Sequence, residues 1–123
     1  MACLAAACAG RRDTTTVPGQ TPGAAAFDRG IASWYGRKFH GRKTASGERY
    51  DMHELTAAHR SLPFGTFVRV VRLDTGDAIV VRINDRGPFV HGRIIDISRG
   101  AAEELDFLRA GLAEVEIEVI AAP

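Results

Sequence analysis

Beyond Cys8 this chain has no cysteine, and the only other one is Cys3. A disulfide or thiolate metal site is therefore excluded for any domain downstream. No apolar run approaches the roughly 18–20 residues of a membrane span. Charge of one sign is also missing. Sixteen Lys and Arg offset fifteen Asp and Glu to leave +1, with no long basic run, a balance that argues for neither nucleic acid nor an acidic partner. His40, His53, His59 and His91 lack metal-ligand spacing such as His-x-x-x-His on a helix, so neither a metal nor a cofactor is expected. What remains is ordinary. Over 123 residues, 46% are hydrophobic and 25% charged, which suits one small globular domain.

The chain divides by composition. Residues 1–9 are apolar and rich in alanine, like the tail of a secretory signal that lacks its basic front end. Leu4-Ala5-Ala6-Ala7-Cys8 resembles a bacterial lipobox, with Ala5 where a bulkier residue is usual, so Cys8 is a candidate for lipidation. An incidental alanine-rich tail would look similar. Residues 10–27, with Thr14-Thr15-Thr16, Pro18, Gly19, Pro22 and Gly23, lack hydrophobic periodicity and are expected to form a disordered tether. Residues 28–121 are expected to form the domain.

Within it, Ile31–Tyr35 alternates between two glycines and predicts a first strand, with Trp34 and Tyr35 on opposite faces. One is expected in the core and the other is a candidate sugar-stacking platform. Residues 37–50 are polar and aperiodic, and so long a loop in a small domain is usually functional. Glu48 and Asp51, three apart, either share one face of a helical turn as a carboxylate pair or belong to a solvated turn. Leu55–His59 is a short strand candidate. Thr66–Leu73 and Ala78–Asn84 are stronger ones, joined by a turn with Gly76 at positive φ. Ile94–Ser98 predicts a further strand, and Ser98 caps a helix over Arg99–Leu108. Ala113–Ile120 alternates apolar and acidic residues, so its glutamates form a solvated face. Six short strands and one helix without a βαβ repeat predict a small closed β-barrel.

The stretch Val80–Phe89 organises the rest. Its β-branched alternation breaks off at Gly87-Pro88, which cannot continue a ladder. Asp85 stands where a rigid strand hands over to a loop, with Asn84 and Arg86 as flanking donors. It either presents a carboxylate to a ligand or caps a turn and pairs with Arg86. As an acid near neutral pH it would need burial or a second carboxylate to outweigh that arginine.

Taken together, Gly30–Gly36, Phe39–Arg42, Thr44–Met52, Leu55–His59, Val81–Phe89 and Arg93–Ser98 resemble, in order, the rare lipoprotein A family over nearly all of residues 29–120. The resemblance implies a six-stranded double-psi β-barrel, as in expansins. It implies a lytic transglycosylase that cuts peptidoglycan between N-acetylmuramic acid and N-acetylglucosamine, leaves a 1,6-anhydro end and prefers strands without stem peptides. It assigns Asp85 as catalytic acid, with Glu48, Asp51 and His59 as further functional positions. Trp34, Tyr35, Asn84 and Arg86 are the expected sugar-binding residues. The protein would then be a monomer of the bacterial envelope, periplasmic and lipid-anchored if Cys8 is modified, acting after an amidase. Many members carry a C-terminal peptidoglycan-binding repeat, which nothing in these residues matches, so septal localisation is not implied. The competing expectation is a barrel that grips glycan strands without cutting them, as expansin-like proteins are thought to do.

Overall fold

The computed structural model describes residues 27–123, so the expected signal-like segment, its Cys8 and all but the last residue of the expected tether lie outside the described residues. Among the described residues there are six strands, β1 (Phe27–Tyr35), β2 (Thr56–Ala58), β3 (Phe67–Arg72), β4 (Ala78–Asp85), β5 (Arg93–Ser98) and β6 (Leu112–Ala121), with one α-helix, α1 (Arg99–Glu104), and a single 3-10 turn at Arg37–Phe39. They close in the order β1-β5-β2-β4-β3-β6. β1/β5 and β2/β4 are parallel pairs, and the other neighbours are antiparallel.

Alternation decides what faces inward. Val68 and Val70 of β3, Val81 and Ile83 of β4, Ile95 and Ile97 of β5, and Val115 and Ile117 of β6 are buried and form the interior with Ala32 and Ala57. Each such Val or Ile contributes roughly 1.5–3 kcal/mol by burial. An exposed ion pair contributes about 1 kcal/mol or less, so the interior holds the barrel. β1 begins four residues earlier than its alternation predicts, because Phe27–Ser33 pairs along β6.

The helix is shorter than expected. Ser98 caps it as predicted, accepting from Ala101 N at 3.2 Å. It stops at Glu104 because Asp106 takes φ 57°, while Phe107 N bonds Ala102 O and Asp106 N bonds Glu103 O. That is a Schellman ending. It turns Phe107 into the core beside Leu105, a position that helical spacing did not predict. The last-strand glutamates point outward as expected, and Gly76 has φ 82° in the β3–β4 turn.

Candidate active site

The site is built from one row of residues across four strands. Ala58 on β2 pairs with Asp85 on its parallel neighbour β4 and with Asp96 on its antiparallel neighbour β5. Asp96 pairs in turn with Ser33 of β1, whose hydroxyl donates to Asp96 Oδ1. Two strand spacings put the Asp85 and Asp96 Cα atoms roughly 10 Å apart. The alanine between them has almost no side chain, so the space above it stays open. Asp85 joins the row through a bulge. Ala57 pairs with Ile83 but Ala58 with Asp85, so one β4 residue is extra. Such a bulge re-aims a side chain beside a site.

The row opens into a cavity of about 330 Å³ lined by both carboxylates, Ala58, Tyr35, Phe39, Tyr50, Thr44, Arg42, Lys43 and Arg86. Aromatic rings make one wall. Tyr35 stacks on Tyr50 at 4.5 Å between centroids and meets Phe39 edge-on at 5.9 Å. Tyr50 Oη donates to Tyr35 O at 2.6 Å, locking the loop that carries it against β1. Tyr35 Oη is buried without a hydrogen-bond partner among the described residues. Burial first, then the Asp85 carboxylate, Tyr50 and Asp96, push this phenol far above its ordinary value, so it remains a protonated donor.

Asp85 Oδ1 accepts from Ala45 N and Arg86 N, each at 2.9 Å, while Oδ2 accepts none among the described residues. The adjacent arginine is committed elsewhere. Arg86 Nη1 donates to His59 O at 3.2 Å and Leu62 O at 2.8 Å, and the guanidinium lies 4.0 Å from the Phe64 ring centroid. The Asp85–Arg86 interaction is thus a backbone turn contact, without an ion pair between the side chains.

Three of the four predicted acid–base residues stand outside the cavity lining. Glu48 accepts from both Arg82 nitrogens at 2.6 and 3.0 Å and from Asn84 Nδ2 at 3.2 Å. The Arg82 contact holds its carboxyl below the usual carboxylate range. Asp51 Oδ1 caps its own turn through His53 N at 2.9 Å. Of the two readings of Glu48 and Asp51, a helical carboxylate pair or a turn, the residues take the turn. Glu48 closes one loop through Thr44 N and the Lys43–Arg49 bridge, and Asp51 opens the next turn through Glu54 N. His59 Nδ1 accepts from Ser61 N and Leu62 N, both at 3.1 Å, so its ring shapes a turn and holds no carboxylate by Nδ1. Its backbone N–H does bond Asp85 O at 3.1 Å. Burial, then Arg60, lower its pKa.

Of the predicted sugar contacts, Tyr35 and Arg86 line the cavity, whereas Asn84 is buried and braces Glu48. Trp34 packs on the core and over Gly36. Asp96, Tyr50, Phe39, Arg42, Lys43 and Thr44 were not singled out from sequence. Five of them lie in the 37–50 loop whose length marks it as functional, and Asp96 carries a signal as the single acid in Ile94-Ile95-Asp96-Ile97.

A closed six-stranded barrel with two parallel pairs and this strand order is a double-psi β-barrel. Solved structures share that fold. The Streptomyces papain inhibitor matches with TM-score 0.63 at 21% identity, over 77% of this chain and 94% of that one. The apo expansin of Clavibacter michiganensis matches with TM-score 0.62 at 20% identity, over 79% and 52%.

The sequence profile described as lytic transglycolase matches residues 28–117, and the chain belongs to this family in its rare lipoprotein A (RlpA) branch. Over 91 residues it is 56% identical to the endolytic peptidoglycan transglycosylase RlpA of Neisseria meningitidis serogroup B, covering 74% of this chain and 38% of the relative. It is 53% identical to the protein of that name from Pseudomonas aeruginosa PAO1, covering 74% and 27%. The chain therefore spans well under half the length of these relatives.

Proposed function

We propose that the chain is a lytic transglycosylase of peptidoglycan glycan strands. The observation that carries this reading is the Asp85–Ala58–Asp96 row, which sets two carboxylates at the mouth of one aromatic-walled cavity. Cutting a glycosidic bond requires a proton on the leaving oxygen and stabilised positive charge at the anomeric carbon. Asp85, with Oδ2 unoccupied by protein donors, gives its proton to the oxygen joining N-acetylmuramic acid to N-acetylglucosamine. As that bond breaks, the muramyl 6-hydroxyl attacks the anomeric carbon and returns its proton to Asp85. The products are a 1,6-anhydro-muramyl end and a free 4-hydroxyl, and the acid is restored without water. Asp96, oriented by Ser33, faces the developing cation, and the Tyr35 ring forms part of the wall against which the sugar lies. Glu48, Asp51 and His59 act as positioning residues that hold the two loops beside the cavity.

The same reading places residues 28–121 as the catalytic domain of a monomeric envelope protein, periplasmic and anchored through Cys8 where that residue is lipidated. It acts on strands already stripped of stem peptides by an amidase. The test is mass spectrometry of amidase-stripped strands incubated with wild type and Asp85→Asn. Anhydro-muramyl ends are expected from wild type, with a rate about 10²- to 10⁴-fold lower in the variant. Reducing ends would mean hydrolysis. Absence of product with retained binding would leave a glycan-gripping barrel, and equal cleavage by Asp85→Asn would remove Asp85 from the acid role.

A further inference from the structure

The loop over the cavity carries more positive charge than the protein neutralises. Arg37, Lys38, Arg42, Lys43 and Arg49 fall within it, and its single acid, Glu48, is taken by Arg82. None of the five forms an ion pair among the described residues. Arg49 is committed to Gly41 O at 2.8 Å. Arg42 and Lys43 are exposed and line the same cavity as Asp85 and Asp96. Their backbones are braced. Arg42 N bonds Phe39 O, Tyr50 N bonds Arg42 O, and Lys43 pairs with Arg49 in an isolated backbone β-bridge, while the Arg42 guanidinium lies 5.9 Å from the Phe39 ring centroid. Cations on a braced loop beside a cleft, lacking acids of their own, suit an anionic group on the ligand.

Resting on the function proposed above, the geometry points to the free lactyl carboxylate of the muramic residue as that group, bound by Arg42 and Lys43. The lactyl ether is fixed to C3 of the sugar whose glycosidic bond is cut. A charge there reaches cations that share the cavity with the acid, whereas stem-peptide carboxylates hang on a flexible chain. In a stripped strand this group ends in an ionised carboxylate. In a peptide-bearing strand the same carbonyl is an uncharged amide. Arg42 and Lys43 thereby make stripped strands the preferred substrate.

Binding of the Asp85→Asn protein is measured on three strand preparations: stripped, stripped and then methylamidated at the lactyl carboxyl, and peptide-bearing. Stripped strands are expected to bind about ten-fold tighter than methylamidated ones, as for one charge-assisted contact. The ratio falls toward one in Arg42→Gln/Lys43→Gln, and at about 0.5 M salt through screening. It survives in Arg42→Lys/Lys43→Arg, which separates charge from any folding defect. In a protein with Asp85 intact, the Gln pair raises KM with kcat little changed. Equal binding of ionised and methylamidated strands overturns the inference, as does a ratio unmoved by the Gln pair. Peptide-bearing strands bound as tightly as stripped ones would overturn it too, shifting the attraction to stem-peptide carboxylates. If wild type cuts no strand and Asp85→Asn binds none, the proposed function fails and this inference with it. If wild type cuts stripped strands while the charge ratio is flat, only the inference fails.

Discussion

Two charged surfaces of this barrel use the same residue types to opposite effect. On the outer face of β1, β6 and β3, Arg29 stands directly across from Glu116 and Arg69 directly across from Glu118 in the ladder, and each pair forms an ion pair. Register alone brings those charges together, and they neutralise one another. At the cavity, Asp85 comes from the end of β4 and Asp96 from within β5, while Arg42 and Lys43 come from a loop over them. Nothing in a ladder sets these opposite each other, and no ion pair closes between them among the described residues. An acid facing a base directly across the ladder is consumed by the fold. Asp85, Asp96, Arg42 and Lys43 have no such partner among the described residues and stay available to a ligand.

The comparison can be broken first at the cavity. Asp96→Asn keeps an acceptor for Ser33 but removes the charge. Glycan cleavage is expected to fall by about 100-fold or more, with thermal stability nearly unchanged. Cleavage at even half the wild-type rate would show that Asp96 belongs with the neutralised charges of the other face.

A smaller effect is expected at His59. Its folded pKa is lowered by burial and by Arg60, so the unfolded chain takes up the proton more readily. The stability tied to its neutral ring is complete above the unfolded value near 6.5. It is lost progressively as pH falls toward the folded value, when protonation of Nδ1 breaks the Ser61 and Leu62 bonds. The loss is on the order of 1 kcal/mol for such contacts. His59→Asn, with an acceptor near the Nδ1 position and no titration, should flatten the dependence of melting temperature on pH between about 5 and 7. An NMR titration should place the His59 midpoint below that of a free histidine. An unchanged slope in the variant would assign this acid sensitivity to other groups.

The least effect is expected on the outer face. Arg69→Ala and Glu118→Ala, an exposed pair at 3.3 Å, should each alter stability by less than about 0.5 kcal/mol and leave cleavage alone. A larger change measured by chemical denaturation would mean that the outer face does more than neutralise its own charge.

Local pattern was enough for most of the barrel's parts. β-branched alternation marked β3, β4, β5 and β6, Ser98 marked the helix start, and Gly87-Pro88 marked the end of β4 beside Asp85. These are properties of contiguous residues: a period of two, a capping hydroxyl, a missing N–H. The helix end was less legible, because Asp106 adopts a left-handed conformation that aspartate tolerates but does not announce.

Strand neighbours were decided by the tertiary structure alone. Periodicity tells which side of its strand a residue occupies, but not which strand lies beside it. Glu48 and Asp51 are close in sequence and part into separate turns, because Arg82 and Asn84 of β4 claim Glu48. Asp85 and Asp96 are joined across Ala58 only because β2 inserts between β4 and β5, and only because the bulge gives Asp85 its place in the row. The sequence by itself determined six strands, their inward faces and a carboxylate at a strand end. Closure of the barrel decided which carboxylates share a cavity and which cations are left over beside it, because pairing between distant segments is set by how the whole interior packs.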